Sequence, residues 1–136
     1  MTRPIQDLDR LLATLSPTRQ PGTWVYCSVP FERDVSGLRP VVTVREAEGL
    51  TLVLAEHHVV QAGLSVLFRA AWITLTVHSD LQAVGLTAAV ASALTAVGVS
   101  CNVVAGAHHD HLFVPEGMAD RAMAALRDLQ EASAAR

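Results

Sequence analysis

An α+β fold, with antiparallel sheet covered by helices on one face, is what these 136 residues predict, and three observations carry the prediction. The second half alternates strand and helix periodicity in the order β-α-β-β-α. The first half offers a degenerate version of it, a strand, a short irregular segment, a hairpin and a short helix, so the chain reads as two related modules, 1–69 and 70–136. Finally, 51% hydrophobic content over 136 residues suits one compact domain or two very small modules sharing a core.

Each element has a local reason. In "PIQDLDRLLATLSP" Leu8, Leu11, Leu12 and Leu15 share one helical face and Pro17 stops the helix. "GTWVYCSVP" is rich in β-branched and aromatic residues and reads as a strand. "PVVTVREAEGLTLVLAE" holds two β-type runs around Glu48-Gly49, where glycine supplies the backbone freedom of a tight turn. "HHVVQAG" is a short helix closed by Gly63. In the second module "WITLTVH" is a strand, "SDLQAVGLTAAVASALTAVG" a helix N-capped by Ser79 or Asp80 with Gly98 just past its end, and "VSCNVVA" a strand. "HDHLFVP" is a strand stopped by Pro115, and "EGMADRAMAALRDLQEA" an amphipathic helix with Met118, Ala122, Ala125, Leu126 and Leu129 inward.

Composition excludes several classes. Net charge is −3, and the basic residues, all arginine, form no stripe, which argues against nucleic acid. Residues 81–107 carry no charge over a length that could span a bilayer, but Ala and Gly dominate them, polar residues interrupt them, and they lack an aromatic belt and flanking arginines. They read as a buried helix and strand. Two cysteines, Cys27 and Cys101, and a polar N-terminus without secretory character point to the cytoplasm.

The chemistry concentrates in "AGAHHDHLFVP". With the third strand of the module paired beside the first, the end of the first strand, the helix N-terminus and the start of the third strand meet at one edge. That edge gathers Ser79, Asp80 and His108 to His111. Asp80 and Asp110 are the only formally charged residues between 70 and 115. A helix N-terminus suits a carboxylate, and Asp110 suits a cation. Together they match a zwitterionic amino acid.

"EAEGLT", "AVGLTAAV", "GVSCNVVA" and "HDHLFVP" resemble the ACT-domain family, in particular small stand-alone bacterial ACT proteins, over about residues 8–129. The second half is also similar to the regulatory ACT modules of aspartate kinases. The resemblance implies tandem ferredoxin-like βαββα(β) modules that bind a small molecule, usually an amino acid, between modules, and self-association into a homo-oligomer. By position it implies ligand contacts at Ser79, Asp80, Leu81, Val84, Gly85 and Leu86, at Cys101 and Asn102, and at His109 and Asp110. "GAHHDH" departs from the family where a bulky aromatic more often precedes HDH, and the first-module helix is shorter than the family's.

Other readings stand beside this one. Ser79 and Asp80 are explained by helix capping alone, and "EAEGLT" by a hairpin turn. Gly85 in the first turns of a helix implies backbone access or close packing. "HHDH" is a pocket wall, a structural polar network or half of a zinc site. In a strand His109 and His111 share a face, and zinc needs further ligands such as Cys101. The alternative function is therefore a small metal-binding or hydrolytic enzyme centred on this stretch. No nucleophile elbow, phosphate loop or dinucleotide fingerprint accompanies it. The leading expectation is a non-catalytic regulatory protein with no cofactor and no resident metal, acting through a protein partner or its own oligomeric state.

Overall fold

The computed structural model describes residues 7–77 and 80–136. The elements are α1 (Leu8–Ala13), β1 (Pro17–Arg19), β2 (Trp24–Val29), β3 (Val42–Glu46), β4 (Gly49–Ala55), α2 (Glu56–Ala62), β5 (Phe68–Leu75), α3 (Leu86–Ala96), β6 (Asn102–Ala105), β7 (Asp110–Pro115) and α4 (Ala119–Ala134). Seven strands form one sheet, ordered β3-β4-β2-β5-β7-β6, with β1 also paired to β5. The order is the same read from either end, because β2 and β5, the first strand of each βαββα-like unit, pair antiparallel at the centre through Tyr26–Phe68, Val25–Arg69 and Trp24–Ala70.

Strand alternation decides what each face buries. Ala71, Ile73 and Leu75 of β5 and Leu112 and Val114 of β7 point at α1, α3 and α4, which supply Leu11, Leu12, Val90, Leu94, Ala122 and Leu126. Val25, Cys27, Leu52 and Leu54 meet Val59 of α2 and Leu38 of the segment joining β2 to β3, forming a smaller core. Among the described residues no helix covers the opposite face. There Phe113 is buried under aromatic neighbours instead, with Trp72 stacked at 5.9 Å and Tyr26 edge-on at 5.8 Å.

Gln130 of α4 fastens the first helix. Its amide Nε2 donates to the Ala13 carbonyl at 3.1 Å, and its Oε1 accepts the Ser16 N–H at 2.9 Å. The expected inner face of α4 is present but turned slightly. Ala122 and Leu126 are fully buried, Met118, Ala125 and Leu129 pack at the margin, and Ala119 and Met123 join the core as well.

Gly49 sits at the hairpin with φ +155°, the positive φ expected there, and it also meets a close approach, since an added Cβ would lie 2.8 Å from the Val29 carbonyl. Two expectations need correction. β1 is a strand that the sequence hides behind Pro17, and it exists because it pairs with residues 73–75 of β5. The helix expected from Ser79 or Asp80 begins only at Leu86. Asp80 closes a turn of its own, its carboxylate accepting the Gln82 N–H at 2.8 Å and its carbonyl the Ala83 N–H at 2.9 Å. Ser79 lies outside the described residues.

Candidate ligand cleft

β5 and β6 both run antiparallel to β7, so they run parallel to each other and end at the same edge of the sheet. Asp110 opens β7 there, opposite Leu75 on one side and Ala105 on the other. The Asp80–Gly85 loop and the first turn of α3 close over this edge. The result is a cleft of about 70 Å³ lined by Asp80, Leu81, Ala83, Leu86, Thr87, Ala105 and Asp110.

The lining of the cleft is electrostatically mixed. Asp80 and Asp110 supply carboxylates, while Leu86 and Thr87 belong to the first turn of α3, whose N-cap is Gly85 with no side-chain cap. The amides of an uncapped first turn carry partial positive charge and seek an acceptor. Burial raises the Asp110 carboxyl above its ordinary pKa, an effect partly offset by His111 and His109. A cation reaching Asp110 would relieve that cost.

Of the residues implied by resemblance, Asp80, Leu81, Leu86 and Asp110 line the cleft. Val84 does not; it is 84% exposed. Gly85 is the N-cap rather than an interior helical residue, at φ +99°, and an added Cβ would sit 3.1 Å from Leu8 Cδ2. Cys101 and Asn102 lie at the far end of β6, three or four residues before Ala105 and thus about 10 Å or more along the strand. Asn102 Nδ2 donates to the Phe113 carbonyl at 3.4 Å, and burial pushes the Cys101 thiol up to about 11. Sequence reasoning missed Ala83, Thr87 and Ala105. The last follows from the 105–110 pairing, which the four-residue loop length fixes.

The histidine stretch is divided by the fold. The strand begins at Asp110, so His109 belongs to the preceding loop, with Nδ1 3.4 Å from the Val77 carbonyl. His111 faces the helix-free side, opposite Val104 rather than Cys101 or Asn102. Its Nδ1 accepts the Trp72 indole N–H at 3.1 Å and lies 3.1 Å from the Thr74 hydroxyl, which in turn accepts from Gln20 Nε2 at 3.0 Å. The indole N–H can only donate, so Nδ1 is the acceptor and the ring is the neutral Nε2–H tautomer. Burial first, then His109, lowers the His111 pKa, against a smaller opposing pull from Asp110. His111 is therefore part of a structural polar network. Among the described residues no group of three His, Cys, Asp or Glu is placed to hold a metal ion.

This fold, with two such units joined through their first strands and an edge cleft beside a glycine-capped helix, is that of tandem ACT domains. Family models described as ACT domain match residues 3–71 and 67–128, and the chain belongs to that family. It is similar to a Vibrio cholerae protein described as of unknown function and a possible transport protein, at 46% identity over 90% of this chain and 95% of that one, with a TM-score of 0.83. An Agrobacterium tumefaciens protein aligns at 17% identity over 84% and 87%, TM-score 0.68. The ligand-free regulatory subunit of aspartate kinase from Thermus thermophilus shares the fold at 8% identity over 85% and 97%, TM-score 0.67. No curated protein matches the chain. Among the described residues no helix is long and apolar enough to cross a membrane.

Proposed function

We propose that this ACT-family chain is a non-catalytic regulatory protein of the cytoplasm that binds a free amino acid in the Asp80–Asp110 cleft. The observation that carries the reading is the pairing of two carboxylates with an uncapped helix N-terminus in one cleft. The ligand's ammonium group goes to Asp110 and its carboxylate to the amides at Leu86 and Thr87. A space of about 70 Å³ holds little more than two waters at about 30 Å³ each. The cleft thus grips the charged ends, and the ligand's side chain projects past Leu81.

Taking 1–69 and 70–136 as the two modules, only the second has a long helix after its first strand. The first replaces it with a segment whose one regular feature is the 3-10 turn Ser36–Leu38. That difference supports a binding site in the second module. Regulation passes to a partner protein or to self-association.

Thermal unfolding with each of the twenty amino acids at millimolar concentration tests this. A ligand at about 100 times its Kd adds roughly 2.7 kcal/mol, or roughly 10 °C in a chain of this size. Asp110→Asn should abolish the shift and, because burial disfavours the ionised carboxyl, should leave the unliganded melting point at or slightly above that of the parent chain. No shift with any amino acid would remove the reading. An Asp110→Asn chain that unfolds without ligand would assign the carboxylate to structure instead.

A further inference from the structure

At the other end of the sheet from the cleft, β2 begins at Trp24 opposite Ala55, the last residue of β4. The Glu56 N–H donates to the Thr23 carbonyl at 3.0 Å and ties the turn before β2 to the start of α2. Between these segments lies a groove of about 450 Å³ lined by residues 21–24 and 55–57, within the range of about 300–1,000 Å³ that small-molecule sites occupy. Gly22 and Ala55 keep it open, and a Cβ added at Gly22 would meet no atom within 4 Å. The amino-acid cleft uses none of these residues.

The polar groups of the lining limit what the groove accepts. The Trp24 indole N–H donates to the Pro21 carbonyl at 3.2 Å and the Thr23 hydroxyl to Glu116 at 3.2 Å, so both side-chain donors are already bonded within the chain. Trp24 therefore offers its apolar ring, and an indole ring attracts cations. The wall carries one carboxylate, Glu56. Its Arg69 partner lies at 2.5 Å, but the same guanidinium also faces Glu116 at 3.4 Å, so one cation answers two carboxylates. Negative charge is left in surplus beside the groove, and a ligand carboxylate entering there would meet net repulsion.

We infer that this groove binds a primary amine with a flat apolar body, the body against Trp24 and Pro21 and the ammonium toward Glu56. A free amino acid carries the same ammonium together with a carboxylate that the groove repels. The two sites thus divide their ligands, zwitterions at Asp110 and amines without a carboxylate at Glu56. The inference rests on the groove alone and goes beyond the amino-acid reading.

Amide and indole NMR of the ¹⁵N-labelled full chain tests it with phenethylamine, phenylalanine and hydrocinnamate, which share a phenyl ring and carry respectively an ammonium, both charges and a carboxylate. Titrated to about 10 mM, to suit the weak affinity of so small a ligand, phenethylamine should shift Gly22, Thr23, the Trp24 indole and His57. Phenylalanine should bind there at least tenfold more weakly, and hydrocinnamate should leave these signals in place. Glu56→Gln should weaken phenethylamine at least tenfold. Arg69→Gln, at a side chain 51% exposed, uncovers both carboxylates and should tighten it. No shift in the groove, hydrocinnamate binding as well as phenethylamine, Glu56→Gln binding the amine like the parent chain, or Arg69→Gln weakening it would each overturn the inference. The ligand series on the parent chain decides even where a variant fails to fold.

Discussion

Gly85→Ala probes the joint between the cleft loop and α1. Gly85 has φ +99°, where an L-residue pays roughly 1–2 kcal/mol. The added Cβ would also meet Leu8 Cδ2 at 3.1 Å. That methyl ends a flexible side chain, so it yields by a few tenths of an ångström, at a further cost of about 0.5–1 kcal/mol for an off-rotamer shift. The total is about 1.5–3 kcal/mol, read in urea or thermal unfolding as roughly 5–12 °C. Two controls separate the contributions. Gly98→Ala, at φ +76° with open space around it, should show the backbone cost alone, about 1–2 kcal/mol. Gly37→Ala, with neither feature, should change stability by less than about 0.5 kcal/mol. In a Leu8→Ala background, which carries its own packing cost, Gly85→Ala should cost only about what Gly98→Ala does. A Gly85→Ala chain as stable as the Gly37 variant would refute the reasoning.

Thr74→Val leaves Gln20 and His111 each short of a hydrogen-bond partner and should cost about 1–2 kcal/mol in denaturant unfolding. Nitrogen NMR of the His111 ring should show the neutral Nε2–H tautomer; a protonated ring at pH 6.5 would contradict the Trp72 hydrogen bond. Because its folded pKa lies below 6.5, the unfolded chain takes up the proton first, and the His111 contribution to stability should be lost as pH falls through 6.5 toward the folded value. Asp110 acts in the opposite sense. Its folded pKa is raised, so stability is gained as pH falls through that value, and Asp110→Asn should erase the gain in a pH series. Cys101, with a thiol pKa of about 11, should react with a disulfide reagent far more slowly at pH 8 than a free thiol; rapid labelling would show that it is exposed.

Much of the fold was legible because periodicity reports burial directly. The leucine face of α1, the β-α-β-β-α order and the α4 stripe all follow from which residues must leave water. The convergence of Asp80 and Asp110 followed from topology, since the pairing of the third strand beside the first is enough to bring them to one edge. What stayed hidden depended on interactions that leave little local trace. The start of α3 is not legible because Leu81, Ala83 and Val84 continue a helical composition, while the Asx turn at Asp80 and the left-handed Gly85 interrupt it. The resemblance implies contacts at Cys101 and Asn102, which the start of β6 sets apart from this cleft. The role of His111 required knowing that Trp72 lies across from Phe113 on the neighbouring strand, within reach of its imidazole.

Amide NMR of the ¹⁵N-labelled chain, titrated with pooled amino acids at millimolar concentration, tests the binding proposal most directly. The account predicts shifts concentrated at Leu86, Thr87, Ala105 and Asp110, absent in Asp110→Asn. Shifts confined to the Pro21–Trp24 and Ala55–His57 groove at the other end of the sheet, or no shifts at all, would contradict it.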